Sequence, residues 1–158
     1  MSHIENVKTV ITDLVAFEAA CKRLGVEFRR DQQTYAWFGR SVGDWPVPPG
    51  LEVKDLGHCA HAVHVPGVQY EVGLVPNKEG KVGYTLAYDF WGSEGAGLQR
   101  RFCKQTSGGS NPKYSRGMEV LLDTYSVEVL KRKAQQQGYR AIETLLPNGK
   151  IKLTVVTA

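Results

Sequence analysis

The stretch Val82–Gly92, VGYTLAYDFWG, constrains the fold of this chain more than any other. Val82, Tyr84, Leu86, Tyr88 and Phe90 alternate with Gly83, Thr85, Ala87, Asp89 and Trp91. A period of two with large side chains on one side marks a β-strand with a buried face. Asp89 falls on the opposite side, and the run stops at Gly92. This is the longest strand signal in the chain, so we place it at the centre of a sheet.

Neighbouring segments supply partners. Val68, Tyr70, Val72 and Leu74 alternate against Gln69, Glu71 and Gly73, and the polar segment Pro76–Lys81 turns the chain back, which predicts a β-hairpin. Ile4–Ile11 reads as an opening strand that ends at Thr12-Asp13, a pair suited to a helix N-cap. Leu14, Phe17, Cys21 and Leu24 then form one helical stripe, with Lys22 and Arg23 in the last turn and Gly25 as the left-handed C-terminal residue. Val26–Phe28 restarts a strand, giving a βαβ opening. Thr34–Phe38 and Ala60–Val65 read as short strands.

From Gly39 to Gly57 the pattern is lost, and Trp45-Pro46 and Pro48-Pro49 mark an irregular insertion that is a candidate binding or mobile loop. After Gly92 a short helix around Leu98–Lys104 is expected, then a flexible break at Thr106–Pro112. Met118, Leu121, Leu122, Tyr125 and Val129 form a second helical stripe that ends at Gln137-Gly138. Tyr139–Leu145 and Ile151, Leu153 and Val155 form a terminal hairpin around Asn148-Gly149. The reading is one α+β domain over residues 1–158. Its mostly antiparallel or mixed sheet is packed by two main helices around a ferredoxin-like core, with the inserted loop at 39–57.

A chain of 158 residues with 42% hydrophobic and 23% charged residues matches a soluble globular domain. No apolar run approaches the roughly 20 residues a membrane helix needs. The N-terminus lacks the pattern of a signal peptide. Cys21, Cys59 and Cys103 are scattered and odd in number, which argues against a disulfide framework. A cytoplasmic protein without membrane contact is expected. The net charge of +4 is unevenly placed: Arg100, Arg101, Lys104, Lys113 and Arg116 fall between Leu98 and Arg116, a segment without Asp or Glu.

Three chemistries compete for the polar residues. His58, Cys59, His61 and His64 carry donors that zinc favours. On a regular strand, however, Cys59 and His61 share one face while His58 and His64 share the other, so we read them as ordinary strand residues and expect no metal and no cofactor. Cys59 between histidines also fits an activated thiol. Asp89, with Glu71 on the paired strand as companion, is read as a hydrogen-bonding residue that closes the strand rather than as half of an acid/base pair. Ser107–Lys113 lacks the GxxxxGK[ST] spacing of a phosphate loop. Phe102 and Tyr114 among the basic residues suit phosphate contacts with base stacking. Trp37, Trp45 and the prolines of the insertion suit the docking of a protein partner.

Several of these pieces together resemble a family of unknown function that includes hypothetical chloroplast reading frame thirty-five and related cyanobacterial and bacterial proteins. They are Met1-Ser2-His3 with Lys8-Thr9 and Asp13-Leu14, and the helix ending at Leu24-Gly25. The hairpin culminating in Tyr88-Asp89-Phe90-Trp91-Gly92, the Tyr125–Gly138 helix and Asn148–Leu153 complete the set. The Gly39–Gly57 insertion departs from the shorter plastid pattern. The resemblance implies no activity, catalytic residue or cofactor; the placement of some bacterial relatives near AAA-type ATPases implies an accessory role.

The expected function is therefore a non-catalytic accessory or adaptor protein that binds a macromolecular, chiefly protein, partner through Trp45, Asp89 and Trp91. The alternative is a nucleic-acid-binding module using Arg100, Arg101, Lys104, Lys113 and Arg116. A small metal- or thiol-dependent enzyme stands third.

Overall fold

The computed structural model describes residues 3–7, 9–41, 43–78 and 81–157. Met1, Ser2 and Lys8, part of the resemblance above, lie outside the described residues, as do Glu79 and Gly80 of the expected hairpin turn. Five strands make the main sheet: β1 (Ile4–Asn6), β2 (Glu27–Arg30), β3 (His61–His64), β4 (Glu71–Pro76) and β5 (Tyr84–Asp89). Their order is β1-β5-β4-β3-β2, with every pair antiparallel. β2 to β5 run as a meander, and β1 closes against β5. This order does not follow the βαββαβ alternation expected of a ferredoxin-like core. The α+β domain itself is as read.

The alternation along β5 places its side chains as expected. Leu86, Tyr88 and the following Phe90 are buried together with Val72 and Leu74 of β4 and Val63 of β3. Val82 is corrected: it is 79% exposed, because regular pairing begins at Tyr84. The backbone of Gly83, at φ 100°, explains the shortening, since a β-carbon there would lie 2.8 Å from the Ile11 carbonyl oxygen. Ile11 itself bridges to Tyr84 outside regular strand structure.

Three helices cover this face: α1 (Leu14–Leu24), α2 (Gly92–Phe102) and α3 (Glu119–Gln136). α1 is capped as its sequence dictates. The Asp13 carboxylate accepts the Ala16 N–H at 3.0 Å, and Gly25 turns left-handed at φ 69°. The Tyr125 hydroxyl of α3 accepts the N–H groups of Thr12 and Asp13, both at 3.1 Å, so α3 helps to fix the start of α1. α2 is longer than the short helix expected around Leu98–Lys104: it begins directly at Gly92 and ends at Phe102.

The segment expected to be a flexible break forms a small hairpin of β6 (Gln105–Ser107) and β7 (Lys113–Tyr114). The terminal hairpin pairs β8 (Tyr139–Leu145) with β9 (Ile151–Thr157) in register along its length and stands apart from the main sheet. Leu145, Ile151 and Val155 remain exposed on one of its faces.

The other face of the main sheet carries a row of small residues. Ala62, Gly73 and Ala87 stand opposite one another across β3, β4 and β5. Tyr35 lies on this row so closely that a β-carbon at Gly73 would come within 2.3 Å of its ring. Leu56, Trp37 and Val47 extend the layer, and Ile4 joins it from β1. The Thr34–Phe38 segment is therefore no strand beyond one bridge, Thr34 to His58. The insertion holds one short 3-10 turn, Val53–Asp55, and is otherwise irregular; its Val47 and Leu56, with Tyr35 and Trp37 of the preceding segment, form the sheet's second covering layer.

Candidate binding cleft

β1 is an edge strand, and the insertion passes alongside it. Between them opens a cleft of about 490 Å³, walled by β1, Trp45–Pro49, Tyr88 and Arg116. Proline at three of five positions in Trp45–Pro49 restricts that wall's backbone. Trp45 stacks on the His3 ring at 4.4 Å and 22°, while His3 Nε2 lies 3.4 Å from Asp44 Oδ2.

Arg116 is positioned by the turn between β7 and α3, where the buried Met118 adopts a left-handed φ of 57°. Its Nε donates to Glu5 Oε1 at 2.8 Å, and its carbonyl accepts the Tyr88 hydroxyl at 2.9 Å. Its guanidinium carbon lies 5.8 Å from the Trp45 ring centre and 5.5 Å from that of Phe90, within cation–π range. The second Glu5 oxygen, Oε2, is buried and has no hydrogen-bond partner among the described residues.

These charges set the chemistry of the cleft. Burial, and after it the nearby Glu5 carboxylate, pushes the Tyr88 phenol above its ordinary range and keeps it protonated. Glu5 is engaged by Arg116. A neutral phenol and an ion-paired carboxylate suit recognition better than proton transfer.

Of the three residues expected to meet a partner, only Trp45 lines the cleft. Trp91 is half-buried, with its ring edge-on to Phe38 at 5.2 Å and to His3 at 6.5 Å. Asp89 is corrected: it is fully buried and presents no surface. Its Oδ1 accepts the N–H of His3 at 3.0 Å and of Trp91 at 2.9 Å, and Oδ2 accepts the N–H of Phe38 at 3.2 Å. One carboxylate thus ties the N-terminal segment, the Thr34–Phe38 segment that leads into the insertion and the entry to α2 into a single corner. Trp37 is likewise part of the covering layer, close enough that a β-carbon at Gly57 would fall 2.3 Å from its indole nitrogen.

The basic stretch divides. Lys104 pairs with Asp123 at 3.2 Å and Arg116 with Glu5, whereas Arg100, Arg101 and Lys113 form no ion pair with the described residues. The five cations thus divide into three without an ion pair among the described residues and two that are paired.

The histidine–cysteine cluster is not arranged as a regular strand from residue 58 would arrange it. Pairing as β3 begins only at His61, whose ring packs against Phe28 and Tyr84, while Cys59 lies under the covering layer and donates to the Gln32 carbonyl at 3.1 Å. Cys59 and His61 thus point to opposite faces. Among the described residues no group of three or more His, Cys, Asp or Glu side chains could hold a metal ion. Burial pushes the thiols of Cys21 and Cys59 up to about 12, far from an activated nucleophile. Glu71 does not meet Asp89; its Oε1 accepts from the Gln32 amide and the Ala36 N–H, both at 3.0 Å.

Sequence reasoning missed Glu5 and His3, because a lone carboxylate or imidazole near a chain end carries no motif. The alternation of β1 and β5 could have shown only that Glu5 shares a face with Tyr88. No helix among the described residues is long and apolar enough to cross a membrane. Comparison with protein-family models, curated proteins and solved structures returned no match.

Proposed function

We propose that this protein is a non-catalytic, cytoplasmic accessory protein that holds a segment of a partner polypeptide in the cleft between β1 and Trp45–Pro49. Kinship with the plastid-type family of unknown function is part of the same proposal. The observation that carries it is Glu5. One of its oxygens is held by Arg116, and the other is buried without a donor among the described residues, beside a wall of tryptophan and proline. An unpaired buried acceptor costs about 1–3 kcal/mol, which an incoming donor would recover once the Glu5 side chain turns Oε2 toward the cleft. A lysine or arginine flanked by apolar residues supplies that donor and fills the Trp45–Pro49 wall. Glu5 would then be shared by two cations, as Glu143 already is by Arg23 and Lys131.

Selection of a displayed peptide library on the protein tests this reading. Enriched peptides should carry Lys or Arg beside apolar residues and should lose binding to both Trp45→Ala and Glu5→Gln. No enrichment, or binding to either variant as tight as to the wild type, contradicts the proposal.

A further inference from the structure

Two concavities flank Arg100. One, of about 310 Å³, lies between the C-terminal half of α2, Gly25 and the Val65-Pro66 turn, and Arg100 and Arg101 both line it. The other, of about 460 Å³, lies between α2 and the β6–β7 hairpin and is lined by Arg100, Lys113 and Tyr114. Arg100 lines both, so the two adjoin along α2 as a trough in two halves. No Asp or Glu lines either half.

The three cations of the trough are also the three members of the basic stretch without an ion-pair partner among the described residues. Arg23, Arg29 and Lys131 each meet two carboxylates, whereas these three cations, like Lys22, Lys81, Lys133, Arg140, Lys150 and Lys152, meet none among the described residues; what sets the three apart is that they gather around two adjoining concavities. A track of unneutralised guanidinium and ammonium groups offers phosphate ligands at successive positions, and guanidinium groups bind phosphate with paired N–H donors. Tyr114 is half-buried at the trough wall, where a base can stack on it.

We propose that this trough binds single-stranded nucleic acid, with Arg100, Arg101 and Lys113 on phosphates and Tyr114 against a base. The site is separate from the Trp45 cleft and does not depend on its occupant. A concave track favours a flexible single strand over a duplex, whose reading in the major groove calls for a projecting helix or β-ribbon.

Fluorescence anisotropy with a labelled oligothymidylate of about 12 nucleotides tests the site, since this length covers one binding track of ordinary size. Three phosphate contacts give a slope of about −2 in log affinity against log salt, or roughly a 20-fold loss between about 50 and 200 mM. Arg100→Ala/Arg101→Ala should reduce the slope to about −0.7. Lys113→Ala, on the hairpin and away from α2, should lower it by about 0.7 alone. Melting curves of the variants should match the wild type, because none of the three side chains has an ion-pair or hydrogen-bond partner among the described residues to lose. The proposal is overturned by no binding at about 100 μM protein in low salt. It is also overturned if affinity is unchanged in both variants, or if a duplex or polyglutamate binds as tightly as the single strand.

Discussion

Replacing Asp89 by Asn removes one oxygen from a fully buried carboxylate that accepts three backbone N–H groups. If the remaining oxygen keeps the His3 and Trp91 bonds, the new amide nitrogen faces the Phe38 N–H, donor against donor. Losing a hydrogen bond to a charged acceptor costs about 1.5–3 kcal/mol, and the stranded N–H adds to that. Removing a buried negative charge offsets part of the loss. A net destabilisation of about 2–4 kcal/mol follows. Urea unfolding monitored by circular dichroism should therefore show a midpoint lower by about 1–2 M at an unchanged slope. Because Asp89 does not line the cleft, the folded fraction of the variant should still bind peptides selected on the wild type. A midpoint shift worth less than about 0.5 kcal/mol would refute the idea that this carboxylate closes the corner.

On β5, Leu86→Ala should cost about 2–5 kcal/mol in the same assay and Thr85→Ala about 1 kcal/mol or less, and equal costs would contradict the assignment of faces. Gly73→Ala should cost about 1–3 kcal/mol and speed amide exchange across residues 31–56, since the added methyl collides with Tyr35; unchanged exchange would show that the insertion is held by other contacts. The Glu143 carboxyl is held below its ordinary 4.5 chiefly by its hydrogen bond from Arg23, with burial opposing and Lys131 adding to the lowering. A depressed folded value means stability present above 4.5 and lost as pH falls through the folded value, so the melting temperature should drop on acidification through this window. Glu143→Gln should lower stability near neutral pH and flatten that drop.

The sheet was legible because its signal is periodic. β4, β5 and the hairpin around Asn148-Gly149 follow from alternation and turn residues, and α1 from its stripe, Asp13 and Gly25. Strand order was less legible, since pairing β1 with β5 joins segments some 80 residues apart that no local pattern relates. The insertion was hardest to read. Proline and glycine deny it strands and long helices but give no sign of the 3-10 turn at Val53–Asp55, and its packing rests on the row Ala62–Gly73–Ala87, whose members meet only once the register is set. The row does leave a trace: the sheet residues opposite the large aromatics are small, as they are where another layer lies close. Asp89 was placed on the correct face, but the buried corner it ties together depends on the distant His3 and Phe38. The basic stretch was legible as composition; which cations are neutralised depended on Glu5 and Asp123, neither of which belongs to it.

The central claim is that a partner peptide seats between β1 and Trp45–Pro49, and backbone and indole chemical shifts report this directly. Titrating a library-selected peptide into isotope-labelled protein should move the Trp45 indole signal, the amides of Ile4–Asn6 and Arg116 most. Largest shifts on the exposed Leu145, Ile151 and Val155 face of the terminal hairpin, with the Trp45 indole unmoved, would contradict the account.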